Sequence, residues 1–268
     1  MERKLPILAT LIAAVDLCRE HLSYALKILA PWFIVFLITP YLLLLVSADN
    51  PAEDGNRVIE LWDTLSALLY VIAWGSAAVL WHWRLLRDDS YSQKAVIFDS
   101  RVWYYVLRGI LISIIVGGVT FLMAFPAMFF LSTLGSNASE VIILFTVVGC
   151  MVIVGGVLFA RLSIALPAIA LNVPDFGLRD AWKATEGSSL RLLFVTALPL
   201  LPIYLLSWGV AAVGAEVLDF YQLDLFWFLA YLGFQILGFA FGLLGLTVLS
   251  LTYAFFIESG DKGVLQEA

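Results

Sequence analysis

Two stretches of this chain leave very few folds open. From Val141 to Leu171 only Arg161 interrupts an apolar run, and from Leu225 to Ile257 there is no charged residue at all. Runs of this length exceed the ~20 residues needed to cross a bilayer as helix. In hydrocarbon every backbone N–H and C=O must be paired within the chain, which leaves helices or closed barrels. Barrel strands are only about 9–11 residues long, so these runs read as helices. At 1.5 Å per residue each would extend roughly 45–50 Å, against a hydrocarbon core of ~30 Å. They must tilt, project beyond the inner leaflet or break, and Pro167 marks the expected break in the first. Composition agrees, with 62% hydrophobic and 13% charged residues, whereas soluble domains carry about 25% charged residues.

The reading is an all-α integral membrane bundle of six transmembrane helices over 28–257, with spans at 28–46, 61–83, 106–131, 141–160, 192–214 and 225–250. Residues 1–27 form an amphipathic interfacial helix. There Leu8, Leu11, Ile12, Val15, Leu22 and Leu26 recur at helical spacing opposite Asp16, Glu20, Ser23 and Lys27. The charges on this segment also argue against a cleaved signal peptide, whose core is uninterrupted and apolar. A second interfacial helix is expected at 175–187, capped by Asp175 and ended by Gly187. Residues 258–268 make a tail.

Charge sets the orientation. With the N-terminus inside, every lysine and arginine except Arg57 falls on the cytoplasmic side. The outer loops at 47–60, 132–140 and 215–224 instead carry Asp49, Glu53, Asp54, Glu140, Glu216, Asp219 and Asp224. Excess Lys and Arg in cytoplasmic loops is the orienting signal of multi-pass proteins, so both termini are expected inside. Prolines gather in the odd spans, at Pro31, Pro40, Pro126, Pro199 and Pro202. The even spans end alike at 79–86, 157–164 and 248–255, each beginning Val-Leu. Three repeated hairpins and chance recurrence explain this equally well.

The residues most able to carry function lie at the inner ends. In Trp81-His82-Trp83-Arg84-Leu85-Leu86-Arg87 the tryptophans suit headgroup depth and the arginines can snorkel to lipid phosphate. The first reading is an interfacial anchor; the alternative is a headgroup-binding or proton-responsive site at His82. Arg161 either snorkels to the inner interface or finds a structural or lipid-phosphate partner. Leu178, Ala181, Trp182 and Thr185 share one face of the 175–187 helix, with Arg179 and Lys183 free to meet acidic lipid. Gly238, Gly242 and Gly245 lie on one face of the last span, the first two at close-packing spacing. The sequon Asn137-Ala138-Ser139 falls on the outside.

No metal-spaced cluster, nucleophile elbow or phosphate-binding glycine loop occurs, and Cys18 and Cys150 suggest neither metal nor disulfide. No enzyme activity, cofactor, metal or nucleic-acid partner is therefore expected. No acidic residue sits at a span midplane, which weakens ion-coupled transport.

Arg161-Leu162-Ser163, Leu166-Pro167, Ala181-Trp182, Thr185, Gly187 and Arg191 together resemble a pattern in uncharacterised bacterial membrane proteins. These are grouped with the membrane domain associated with glycerophosphodiester phosphodiesterases. Trp81-His82-x-Arg84 resembles a feature of alphaproteobacterial relatives in which arginine follows histidine directly; here Trp83 intervenes. The resemblance implies a bacterial inner-membrane protein and brings no catalytic residues. The expected function is non-enzymatic: organising lipid, or acting as an accessory or scaffold subunit of a membrane complex, through the cytoplasmic face. A homo-oligomer is the other partner considered. The alternative is a transporter or channel for a lipidic or small amphipathic solute.

Overall fold

The computed structural model describes residues 4–48, 52–87, 99–133, 140–202, 205–206 and 224–257. Among them the chain is all helix and turn: α1 Ile7–Glu20, α2 Leu22–Ala48, α3 Ala52–Arg87, α4 Ser100–Thr133, α5 Glu140–Leu162, α6 Ala165–Ala170, α7 Leu178–Ala184, α8 Ser189–Ala197 and α9 Asp224–Phe256. Five stretches are long and apolar enough to cross a membrane: Leu22–Thr39, Thr64–Arg87, Ser100–Pro126, Met151–Ala170 and Leu232–Phe256. The expected span at 192–214 is described mainly through α8. Its remainder, the loop 215–224, the sequon and the 258–268 tail lie largely or wholly outside the described residues.

The helices outrun their expected bounds. At 1.5 Å per residue, α3, with 36 residues, reaches roughly 54 Å and α4, with 34, roughly 51 Å. Helix therefore occupies most of the outer loop expected at 47–60, since α3 begins at Ala52. Pro126 lies inside α4 without ending it, as membrane helices tolerate. In the 141–171 run the break comes one turn before Pro167, at Ser163 and Ile164. A proline ring clashes with the carbonyl four residues earlier, which here belongs to Ser163. The helix stops ahead of that clash and restarts as α6, with Pro167 in a first turn where no N–H is needed.

The N-terminal boundary also moves. Helix α1 ends at Glu20, His21 turns the chain, and α2 begins at Leu22. Residues 22–27 therefore start the first spanning helix rather than finish the interfacial one. The apolar stripe of α1 is split, with Leu8 and Ile12 exposed and Leu11 packed on the core, while Thr10 and Ala14 are buried against the bundle. Small side chains let α1 approach α9 closely, and the Cys18 thiol reaches the Thr247 hydroxyl at 3.1 Å. Burial pushes that thiol's pKa up, with the Thr247 hydrogen bond pulling the other way.

Of the three glycines expected to pack on the last span, Gly242 does so: a Cβ there would overlap the Trp74 indole. Gly245 does not, since a Cβ at that position would meet open space. Trp74 stacks on Phe239 at 5.4 Å between centroids, and Phe36 and Tyr70 extend this aromatic layer between α2, α3 and α9.

Candidate functional site at the arginine-rich end

The end of α3 is the hub of the bundle. Consecutive helical residues point about 100° apart, so Trp81, His82, Trp83 and Arg84 each address a different neighbour. The Trp81 indole donates to the Thr247 hydroxyl at 2.8 Å, and the α1–α2 corner wraps it through His21 and Tyr24. Trp83 donates to the Ala170 carbonyl at the end of α6, and the Arg87 and Arg101 guanidiniums approach its ring at 5.6 and 5.4 Å. Arg84 lies 5.9 Å from the Tyr24 ring.

His82 is fully buried. Its Nδ1 lies 2.7 Å from the Ser250 hydroxyl and its Nε2 lies 3.1 Å from the Tyr105 hydroxyl. Ser250 donates to the Leu246 carbonyl at 3.0 Å. One proton assignment makes every hydrogen bond: Nδ1–H donates to Ser250, and Tyr105 donates to a neutral Nε2. A serine beside a histidine is the geometry of an activated nucleophile. Here both ring nitrogens are engaged, the serine proton is taken by backbone, and the cavity described below is not lined by any of the three. His82 is thus a polar staple joining α3, α4 and α9. The anchor reading is overturned for Trp81 and His82, which face the protein interior rather than the headgroups, and His82 is not placed to meet one.

Arg161 is likewise enclosed, 7% exposed. Its Nε donates to the Thr185 hydroxyl at 2.9 Å, its Nη2 to the Trp182 carbonyl, and its Nη1 reaches Ser189 at a longer 3.4 Å. The guanidinium plane lies against the Trp182 ring, 3.5 Å from Cζ to centroid. Thr185 also donates to the Ala181 carbonyl. A single cation thereby satisfies the carbonyl end of α7, where the helix dipole is negative, and ties α5 to the start of α8. Arg161 has the structural partner that was one of its two expected fates, and it does not snorkel.

Helix α7 is shorter than the 175–187 segment expected, and Asp175 does not cap it. Instead Asp180 reaches back, its Oδ2 accepting the Gly177 N–H at 3.0 Å. Gly187 does close the segment, at φ 78°, where glycine carries no Cβ penalty. Ala181 and Thr185 are buried, whereas Arg179, Lys183 and part of Trp182 are exposed.

Between the start of α4 and the turn after α6 lies a cavity of about 550 Å³. Arg101 and Arg108 enter it from α4, and Asn172 and Asp175 from the turn. Leu107, Leu111, Val173 and Phe176 supply apolar wall. The turn is held by N–H donation from Asn172 to Ile169 O and from Val173 to Ala168 O. Asn172 and Asp175 have φ of 55° and 61°, a left-handed conformation these two residue types accept most readily after glycine. The sequence reading counted Arg101 and Arg108 only as inner-side charge. The available signal was their spacing: 101, 104, 108 and 111 form one stripe on a helix. Among the described residues no group of three His, Cys, Asp or Glu side chains gathers as a metal seat.

Comparison with protein families, with characterised proteins and with solved structures finds no match.

Proposed function

We propose that this is a non-enzymatic, six-span protein of a bacterial inner membrane, with both termini cytoplasmic, that organises lipid or a partner membrane complex through its cytoplasmic face. The observation that carries the reading is the gathering of cations and aromatic rings at the end that charge asymmetry assigns to the cytoplasm. Arg84, Arg87, Arg101 and Arg161 all lie over aromatic rings there. Arg179 and Lys183 stand exposed beside Trp182, which is 40% exposed. A half-exposed indole flanked by free cations is suited to the lipid interface, where the ring sits at headgroup depth and each cation contributes about 1 kcal/mol of attraction to an anionic leaflet.

The span added to the five apolar stretches is the one expected at 192–214, of which α8 is the described start, and the bacterial assignment rests on the resemblance of the 161–202 region. The test is charge reversal, Arg179→Glu with Lys183→Glu, in the full chain reconstituted in nanodiscs containing phosphatidylglycerol. Retained lipid and any co-purifying partner are then measured. The account expects loss of one or the other, and unchanged binding of both would refute it.

A further inference from the structure

The cavity beside α4 holds two charges of opposite sign that the fold does not use. Arg101 is engaged by Asp99, with Nη2 to Oδ2 at 2.6 Å and Nε at 3.1 Å from both carboxylate oxygens. Arg108 lies seven residues further along α4, about 10 Å along the helix axis. Among the described residues its side chain makes no hydrogen bond or ion pair, and neither does that of Asp175 across the cavity. They do not pair with each other. Asp175 is exposed and Arg108 half-buried, so both are open to a ligand entering the cavity, where they form separate seats for an anion and a cation.

Access runs from the bilayer. One face of α4 packs into the bundle through Val102, Tyr105, Val106 and Ile112, and the opposite face is left uncovered by this chain. Leu107, Leu111 and Ile114 are exposed and continue from the cavity along that outer surface. At about 550 Å³ the space is in the ~300–1,000 Å³ range of small-molecule sites.

We infer that this cavity binds the headgroup of a phosphoethanolamine phospholipid, its phosphate at Arg108 and its ammonium at Asp175, with an acyl chain lying along Leu107, Leu111 and Ile114. The inference rests on the lipid-organising reading above and names a lipid and a seat for it. An anionic lipid without an amine would leave Asp175 unpaired. A choline headgroup carries charge but no N–H to donate to the carboxylate. The site therefore discriminates among lipids by the amine as well as by the phosphate.

The experiment reconstitutes the full chain in phosphatidylcholine nanodiscs with equal minor amounts of phosphatidylethanolamine and phosphatidylglycerol, followed by native mass spectrometry of retained lipid. The expected result is one phosphatidylethanolamine retained per chain, at least about tenfold over phosphatidylcholine, the equivalent of ~1.4 kcal/mol. Asp175→Asn should remove that preference while phospholipid is still retained, and Arg108→Gln should abolish retention. Neither substitution removes a bond from the described fold. Soluble phosphoethanolamine at equal concentration should not displace the lipid; displacement would overturn the lipid assignment in favour of the free headgroup. An undiminished preference in Asp175→Asn, or a parent preference for phosphatidylglycerol, overturns the inference. If retention is lost in Arg179→Glu with Lys183→Glu but unchanged in the Arg108 and Asp175 variants, this seat is refuted and the broader reading stands. Absence of any retained lipid overturns this inference, and the broader reading then rests on a protein partner.

Discussion

Replacing Arg161 by lysine separates two accounts that substitution by alanine would confuse. Both residues carry a positive charge on a long stem, and both snorkel equally well to an interface. Only arginine has a planar fork that can bond Thr185 and Trp182 at once while stacking on the Trp182 ring. A hydrogen bond to a charged group contributes about 1.5–3 kcal/mol, and the stacked cation adds about 0.5–2 kcal/mol. The 3.4 Å contact to Ser189 is too long to count for much. An ammonium at this position can keep one of the two strong bonds and loses the planar stack, so Arg161→Lys should cost at least about 2 kcal/mol. Arg161→Ala should cost more, roughly 3–5 kcal/mol, because it removes every bond of the clasp and leaves the Trp182 carbonyl only the 3.2 Å contact from the Thr185 hydroxyl. Thr185 is spared in either case, since its hydroxyl donates to Ala181. The assay is SDS-driven unfolding in mixed micelles followed by tryptophan fluorescence. A lysine variant within about 0.5 kcal/mol of the parent, the range of neutral surface changes, would refute the clasp and restore a snorkelling arginine.

Three further substitutions probe the packing. Tyr105→Phe removes the donor to His82 Nε2 and should destabilise by about 1 kcal/mol. The same loss should nearly vanish in a His82→Leu background, which a double-mutant cycle measures. Gly242→Ala drives a methyl into the Trp74 indole and should cost about 1–3 kcal/mol. Gly245→Ala meets open space and should be neutral or gain up to about 1 kcal/mol in helix propensity; equal effects at the two sites would contradict the packing described. In a Cys150→Ala background Cys18 should react with maleimide at neutral pH far more slowly in the native protein than after denaturation, because burial holds the thiol protonated. Rapid native labelling would show that α1 does not rest on α9 as described.

Much of the architecture can be read from the chain because hydrocarbon admits so few solutions. The apolar runs predict six spanning helices, and among the described residues five stretches are long and apolar enough to cross a membrane. Helix ends are harder. Nothing in the sequence at His21 resembles a stop: no glycine or proline is near, and the apolar periodicity runs through it. The Ser163 break was legible in kind, through Pro167, but falls a turn earlier because the clash lies at the carbonyl four residues back. The partners of His82 and Arg161 were not legible, since they sit 168 and 23 residues from His82 and 24 residues from Arg161 in sequence. A depth argument could have found one of them. His82 lies five residues before the end of α3 and Tyr105 five residues after the start of α4, so antiparallel neighbours place them at the same level. The cavity was hidden because it depends on a left-handed turn at Asn172 and Asp175, which no apolar pattern signals.

The central claim is that the arginine-rich end of this bundle holds lipid or a membrane partner. The most direct measurement is extraction from the native membrane into polymer-bounded nanodiscs without detergent, then mass spectrometry of everything that co-purifies. The account predicts either a phospholipid enriched on the protein above its abundance in the surrounding membrane or a membrane protein present in stoichiometric amount. Bulk lipid composition with no partner would contradict it.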